Sequence, residues 1–418
     1  MQKIEAHNGE TVNKLNMFSA CCICAWFTIP LLANYPILFY IFAAVWFCTA
    51  KGFFRYLADN AGKYLLLCAY LAVSLVYLIS APADAIFAGG FKATMLSLFC
   101  VLLYDFYYSK NCFLQLKTIC IVSLVLYLGG SALSIIFFSK DIDMIKQAVA
   151  IGGQGSMAGN FGTFYGAVFV LAGSLYLLLF AKGRIRFLGT AGIIISSWLL
   201  LYGQFALSIM LAVLLCFLIL INILFKPKLY IWIIIFVLSS AVFIMLTNEI
   251  SEILLKISTL VPQGYISDRI ADMASFLINN ESVHSSMRIQ FYTGDIYNFF
   301  HYPATGSLAL RASGIETDLL AGGHSSVFGL FANYGFFVSS CFILFFALIY
   351  KKIISLWQNN AYKLFLIPVI FIFILLSFLN PTLNVQTLCF VIMIIIPSLP
   401  LLTADANALN YETISKAD

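Results

Sequence analysis

Side chains able to do acid–base chemistry gather late in this chain, just before an apolar run that begins at Val327. The sequence there is Gly322-Gly323-His324-Ser325-Ser326. A histidine changes its charge near neutral pH, so His324 could accept a proton from a hydroxyl group. Serine before an apolar run is also a common helix N-cap, and a second interpretation is an interfacial histidine beside a cap made by Ser325 or Ser326.

Two arginines precede this histidine and are candidates for binding a diphosphate. The planar guanidinium group matches phosphate oxygens in pairs and stays charged at every relevant pH, which suits Arg288 and Arg311 to this task. Each arginine could instead pair with a nearby carboxylate, such as Asp295 or Glu316, or with lipid phosphate. Both interpretations stay open from the sequence.

Uncharged amides are the polar side chains that stand out in and beside the apolar runs. Gln204, Asn222, Asn380 and Asn384 lie in or next to such runs, and Asn160 stands just before another. Amides within a membrane usually form hydrogen bonds between helices. Gln204 and Asn160 are nevertheless candidates for substrate contact, although Asn160 could equally cap a helix.

The elements that must position these residues are membrane helices. Hydrophobic residues make up 62% of the 418 residues and charged residues only 10%, far from the balance of a soluble domain. Uncharged runs near the length needed to cross a bilayer recur along the chain, and stretches such as Ile193 to Leu201 lack the alternation of barrel strands. The sequence predicts an all-α, polytopic inner-membrane protein.

Twelve apolar runs are long enough to be predicted as spans. They lie near residues 17–32, 35–50, 63–81, 91–108, 112–138, 161–181, 187–202, 205–225, 229–247, 327–350, 363–379 and 383–402. With the N-terminus in the cytoplasm, the cytoplasmic segments hold 16 of the 23 basic residues. The positive-inside rule therefore predicts twelve spans with both termini in the cytoplasm.

Ionisable residues are scarce between the ends of these runs. We therefore expect inert spans, which argues against an ion-coupled pump because a proton relay needs buried carboxylates.

One long outer loop divides the chain into three parts: residues 1–247 with nine spans, the loop at 248–326, and residues 327–418 with three spans and a tail. Loops of this length usually have a role. Two segments, 267–277 and 287–300, have helical apolar spacing, and Arg288, Tyr292 and Asp295 fall on the polar side of the second. A helix lying on the membrane surface is expected in this loop.

No metal site or disulfide framework is expected. All eleven cysteines lie in or beside apolar runs and none lies in the large loop. The closest group, Cys21, Cys22 and Cys24, is interpreted as core packing.

The order of these features resembles bacterial O-antigen and capsule polymerases, which belong with the O-antigen ligases. The resemblance covers about residues 286 to 340 and is carried by three motifs. They are Ser286-Met287-Arg288-Ile289-Gln290-Phe291-Tyr292, Pro303-Ala304-Thr305-Gly306, and Gly323-His324-Ser325-Ser326 with the helix that runs to Tyr334-Gly335.

The resemblance implies a metal-independent glycosyltransferase without a cofactor. Its substrate would be an undecaprenyl-diphosphate-linked oligosaccharide at the outer face of the inner membrane, and no nucleic acid is involved. By position, Arg288 would hold the donor diphosphate and His324 would activate or orient the acceptor hydroxyl. Further candidates for substrate binding in this chain are Arg311, Tyr292, Ser325, Gln204 and Asn160.

Three alternatives remain. A ligase would transfer the glycan to lipid A core, but ligases commonly carry an arginine where this chain has Tyr202-Gly203-Gln204, and typically asparagine where it has Ser325. A transporter of lipid-linked oligosaccharides would need charged residues along its spans. A scaffold would use the loop to bind a partner such as a chain-length regulator, which leaves Arg288 and His324 unexplained.

Overall fold

The computed structural model describes residues 14–82, 84–138, 161–203, 205–225, 247–260, 267–268, 270–271, 274–275, 283–312, 325–356 and 360–403. Within these residues all regular secondary structure is helical, as expected from the sequence, and no strand is found.

We number sixteen helices in chain order. They are α1 (Lys14–Thr28), α2 (Pro30–Ala33), α3 (Pro36–Thr49), α4 (Phe53–Asp59), α5 (Ala61–Ser80), α6 (Ala85–Ser109), α7 (Phe113–Phe138), α8 (Phe161–Phe180), α9 (Gly183–Gly203), α10 (Ala206–Phe225), α11 (Thr247–Leu260), α12 (Val283–His301), α13 (Gly306–Ala312), α14 (Ser326–Leu356), α15 (Asn360–Leu379) and α16 (Gln386–Leu402).

Eight of the described helices are long and apolar enough to cross a membrane, namely α5 to α10, α14 and α15. They coincide with eight of the twelve predicted spans. The bent pair α3 and α4, which turns by 82° at a short break, would make a ninth. Of the other predicted spans, residues 17–32 fall on α1 and α2, residues 383–402 fall mainly on α16, and nearly all of 229–247 lies outside the described residues.

The helices form two compact units, and two of the helices contribute to both. The first unit comprises residues 1–203, 338–363 and 382–418, and the second comprises residues 204–337 and 364–381. The second half of α14 and the start of α15 therefore belong to the first unit. The first part of α14 and most of α15 belong to the second.

The centre of the first unit is α16. Its side chains are almost completely buried from Thr387 to Leu402. It contains a wider π-helical turn, Val391–Ile395, followed by Pro397, which has no backbone N–H group. Both features leave helix carbonyl groups without their usual partners.

Side chains from four other helices supply those partners. Tyr350 donates to the carbonyl of Ile392 at 3.1 Å, and Tyr362 donates to that of Ile396 at 3.1 Å. Weaker contacts come from Tyr104 to Pro397 at 3.4 Å and from the thiol of Cys120 to Ile395 at 3.7 Å. The irregular helix is thus stabilised in an apolar interior by hydroxyl groups, because an unmet carbonyl there is costly.

The second unit holds α10 to α13, the start of α14 and most of α15. Asn222 of α10 donates to the carbonyl of Leu364 in α15 at 2.6 Å, which confirms the interhelical hydrogen bond expected for this amide. In the first unit Asn384 likewise accepts from Thr94 of α6 at 2.8 Å.

Candidate functional site

The second unit contains the described residues of the candidate site, and α12 is its main element. In its described part this helix buries two polar residues and exposes both polar and apolar ones. Asp295 and Asn298 are 0% and 1% exposed, whereas Ile296 and Phe300 are 40% and 74% exposed. We predicted a helix over 287–300, which α12 confirms, but the polar side is turned inward and not toward water.

This orientation corrects the expectation that Asp295 would lie on a water-facing side. Asp295 and Asn298 are directed into the protein, while the exposed side of the helix carries Gln290 and Thr293 as well as the apolar residues. Position 288 falls on the same helical face as Tyr292 and Asp295, at spacings of four and seven residues. The side chain of Arg288 lies outside the described part, so its role stays a prediction.

Tyr292 fixes this inward face against the end of α15. Its hydroxyl donates to the carbonyl of Leu379 at 2.9 Å, and its ring lies 5.9 Å from that of Phe328 in α14. The carbonyl of Leu379 is among the last in α15 and lacks a partner within that helix. Tyr292 therefore has a described structural role, and its proposed substrate contact stays a prediction.

The start of α14 is attached to the same helix end. The hydroxyl of Ser325 accepts from the backbone N–H of Phe328 at 3.1 Å and donates to the carbonyl of Ser377 at 3.2 Å. The N–H of Ser326 donates to the carbonyl of Asn380 at 3.1 Å. Ser325 is thus a helix N-cap, as one of the two interpretations of this segment expected.

His324 itself lies outside the described residues, as do Gln204 and Asn160. Its neighbour Ser325, however, is 4% exposed and held by two hydrogen bonds. Ser325 is therefore fixed next to the end of α15, close to the point where Tyr292 of α12 packs on Phe328. This arrangement does not test the predicted role of His324.

A backbone crossing joins two of the motifs quoted above. α14 is broken at Gly335, where φ is 70° and ψ is −179°, and the turn after α12 crosses it at that point. The N–H of Phe336 donates to the carbonyl of Pro303 at 2.6 Å. A Cβ atom on Gly335 would lie 2.5 Å from the carbonyl oxygen of Ala304, so only glycine allows this approach.

Helix α13 begins at this crossing and carries Arg311. Gly306, its first residue, has φ of 71° and packs against the chain near Gly335. The hydroxyl of Ser307 donates to the side-chain oxygen of Asn333 at 3.2 Å. Arg311 lies in the last turn of α13 and is partly buried. The structure thus brings the helix of Arg311, the helix of position 288 and the start of α14 into one unit.

Two buried amides that the sequence did not assign to the site also belong to this region. Asn298 and Asn380 are 1% and 3% exposed, and their Nδ2 groups have no hydrogen-bond partner among the described residues. Such donors are rare in folded proteins and require an explanation. Asn298 could have been found from the sequence, because it follows Asp295 by three residues and so continues the polar face of α12.

The expectation of inert spans is wrong at Asp105, in the first unit. This carboxylate is 2% exposed inside α6 and accepts from Lys63 and Tyr64 of α5 and from Tyr56 of α4. The lysine and aspartate form a buried ion pair. Asp105 lies close to the end of its apolar run and was not among the predicted functional residues.

The site's chemistry follows from its surroundings. Hydroxyl, amide and carboxylate groups held in an apolar interior interact more strongly with a polar ligand than they would in water. No group of three histidine, cysteine, aspartate or glutamate side chains is placed to hold a metal ion within the described ranges. Cys24, from the cysteine group of α1, is completely buried.

Comparison with known proteins adds no assignment. No protein-family model matches this chain, and none of the curated proteins matches it either. The choice of a function therefore depends on the residues of the site.

Proposed function

We propose that this chain is a polysaccharide polymerase of the O-antigen or capsule type. It would transfer a growing glycan from undecaprenyl diphosphate to a new lipid-linked repeat unit. The observation that carries the proposal is the meeting of α12, α14 and α15, through Tyr292 and Ser325, in one unit. The motifs of Arg288 and His324 lie far apart in the sequence, and these contacts draw their helices together.

The reaction assigns one task to each main residue. The bond between the donor's anomeric carbon and the diphosphate oxygen breaks, and a bond from that carbon to the acceptor hydroxyl oxygen forms. His324 takes the hydroxyl proton, and undecaprenyl diphosphate leaves with the electron pair. Arg288 stabilises the negative charge that develops on the diphosphate, which positioned guanidinium groups do well in an apolar site.

The remaining candidates would bind the two substrates around this centre. Arg311 would be a second contact to phosphate, because α13 starts at the crossing of Gly306 and Gly335 beside α14. Tyr292 and Ser325 would line the site at the end of α15, and Gln204 and Asn160 would contact sugar hydroxyls. No cofactor or metal ion is part of the proposal, and a chain-length regulator is a possible protein partner.

The proposed topology has twelve spans in the inner membrane. Both termini would be cytoplasmic, and residues 248–326 would face the periplasm. Support comes from the eight described helices able to span a membrane and from the 16 of 23 basic residues on the cytoplasmic side. This orientation places His324 at the outer surface, where lipid-linked repeat units would be joined.

The test is reconstitution of the purified full-length chain with undecaprenyl-diphosphate-linked repeat units, followed by separation of the glycans on a gel. A ladder of regularly increasing length supports polymerisation. A single transfer that requires added lipid A core would make the chain a ligase instead. Absence of any transfer by folded protein with either acceptor would contradict the enzyme proposal and favour a transporter or scaffold.

A further inference from the structure

Helix α11 presents three different sides along its length. One side contacts the protein: Ser251 is fully buried and its hydroxyl donates to the carbonyl of Ala274 at 2.9 Å. Leu254 and Ser258 lie on this side and are partly buried. The other two sides are exposed: one is aliphatic, and the other carries charged residues with Leu255, 38% exposed, at its edge.

The first exposed side is an aliphatic stripe of Ile253, Ile257 and Leu260. These residues follow the helical spacing i, i+4, i+7 and are 55%, 40% and 83% exposed. The second exposed side carries Glu252 and Lys256, which are four residues apart and of opposite charge. A single helix with adjacent apolar and charged exposed sides is typical of a boundary between lipid and water.

We propose that α11 lies flat in the membrane interface, with the aliphatic stripe among lipid acyl chains and Glu252 and Lys256 in the headgroup layer. The helix begins at Thr247, directly after the apolar run at 229–247 that is proposed as the ninth span. With no polar spacer between them, the first turn of α11 must start at the membrane surface. The inference rests on that proposed span and not on enzyme activity.

Lipid fits the stripe better than a protein partner does. Protein interfaces depend on aromatic and arginine anchors, whereas the exposed sides of α11 contain neither. The charges of Glu249, Glu252 and Lys256 nearly cancel, so electrostatic attraction to anionic lipid contributes little. Insertion should therefore depend on the aliphatic stripe and should occur in neutral lipid.

This placement differs from the surface helix expected from the sequence. The segments expected to lie on the membrane were 267–277 and 287–300, but the second is α12, whose polar side faces the protein interior. An interfacial α11 would hold the start of the long loop at the bilayer surface. A lipid-linked substrate would then meet the loop without leaving the membrane.

The test compares two neighbouring positions, Ile257→Cys on the stripe and Lys256→Cys on the charged side. Each variant is reconstituted in phosphatidylcholine vesicles at two protein-to-lipid ratios that differ tenfold. A bulky, charged maleimide with a polyethylene glycol tag is supplied to both faces by freezing and thawing. The tag shifts the protein on a gel, and the wild type gives the background of the eleven native cysteines.

We expect Lys256→Cys to label at least tenfold faster than Ile257→Cys at both ratios, and the two to label equally after unfolding in dodecyl sulfate. Equal rates in the folded, reconstituted protein would overturn the proposal. Protection of Ile257→Cys that disappears on lipid dilution would also overturn it, because a second copy of the chain would then cover the stripe. The readout needs no activity, so it is independent of the proposed function.

Discussion

At the scale of single residues, Asn380 connects the end of α15 to the start of α14. Its backbone carbonyl accepts from Ser326, while its buried side-chain Nδ2 group has no partner among the described residues. A buried donor without a partner costs stability, so an apolar side chain at this position should make the folded protein more stable. A donor kept for a substrate would show the opposite effect on activity.

We predict that Asn380→Leu raises the stability of the folded protein by about 1 kcal/mol but lowers glycan transfer at least tenfold. The measurement is the thermal unfolding midpoint in detergent beside the yield of polymer. Asn222→Leu is the matched control, because Asn222 already donates to Leu364 and its loss should destabilise the protein. A lower midpoint for Asn380→Leu would show that its amide serves the fold.

The sequence was enough to predict the structural role of some site residues but not of others. Serine before an apolar run was enough to predict a cap at Ser325 or Ser326 as one of two interpretations, and the structure gives Ser325. The burial of Asp295 could not be predicted, because the helix period gives the members of a face but not whether that face meets water or protein. The burial of Asp105 could not be predicted either, because a charge near the end of an apolar run can face either water or protein.

At the scale of elements, the crossing of α14 by the turn after α12 brings two backbone segments together in the unit that holds the site. We predict that Gly335→Ala destabilises the protein by about 2 kcal/mol or more, since alanine is strained at this positive φ and its Cβ would meet Ala304. Thermal unfolding in detergent measures the change. Gly62→Ala is the control, because Gly62 has open space around it and should tolerate alanine.

If Gly335→Ala unfolded at the same temperature as Gly62→Ala, the crossing would not be a feature of the native protein. The motifs Pro303-Ala304-Thr305-Gly306 and Tyr334-Gly335 would then need another explanation. Their contact was not predictable from the sequence, because it joins residues about thirty positions apart by backbone approach and not by a recognisable side-chain pair.

The buried ion pair of the first unit gives a second prediction for elements, because Asp105 connects α4, α5 and α6. We predict that Lys63→Met destabilises the protein by about 3 kcal/mol, since the buried carboxyl group of Asp105 would lose its ionic partner. The double variant Lys63→Met with Asp105→Asn should recover much of this loss. Unfolding midpoints of the two single variants and the double variant measure the coupling.

A double variant no more stable than Lys63→Met would contradict this account, because the loss would then come from packing of the lysine stem and not from an unpaired charge. The two tyrosines that also donate to Asp105 would in that case be enough to hold it.

At the scale of the whole molecule, composition alone predicted the all-α class and the membrane environment, because lipid admits few other structures for so apolar a chain. The twelve runs also located the eight helices able to span a membrane. Hydropathy did not separate lipid-facing helices from α16, whose apolar residues are buried in the first unit. An apolar side chain suits both surroundings equally.

The proposed orientation predicts where reporter domains will be active. A phosphatase that folds only outside the cytoplasm should be active when fused after residue 262 and inactive when fused after residue 184 or 227. The reason is that basic residues cluster at the second and third of these positions. Activity after residue 227 would place this position outside the cytoplasm. It would contradict both the proposed ninth span and the proposed total of twelve spans.

The measurement that tests the central claim most directly is glycan transfer by four variants of the purified chain. His324→Ala and Arg288→Ala are compared with His301→Ala and Arg186→Ala, which change exposed residues of the same types to which no role in the site is assigned. We predict that the wild type and the two control variants produce a polymer ladder. The first two variants should lose it by at least a hundredfold while unfolding at the wild-type temperature. A ladder from folded His324→Ala or Arg288→Ala at the wild-type rate would contradict the site proposed here.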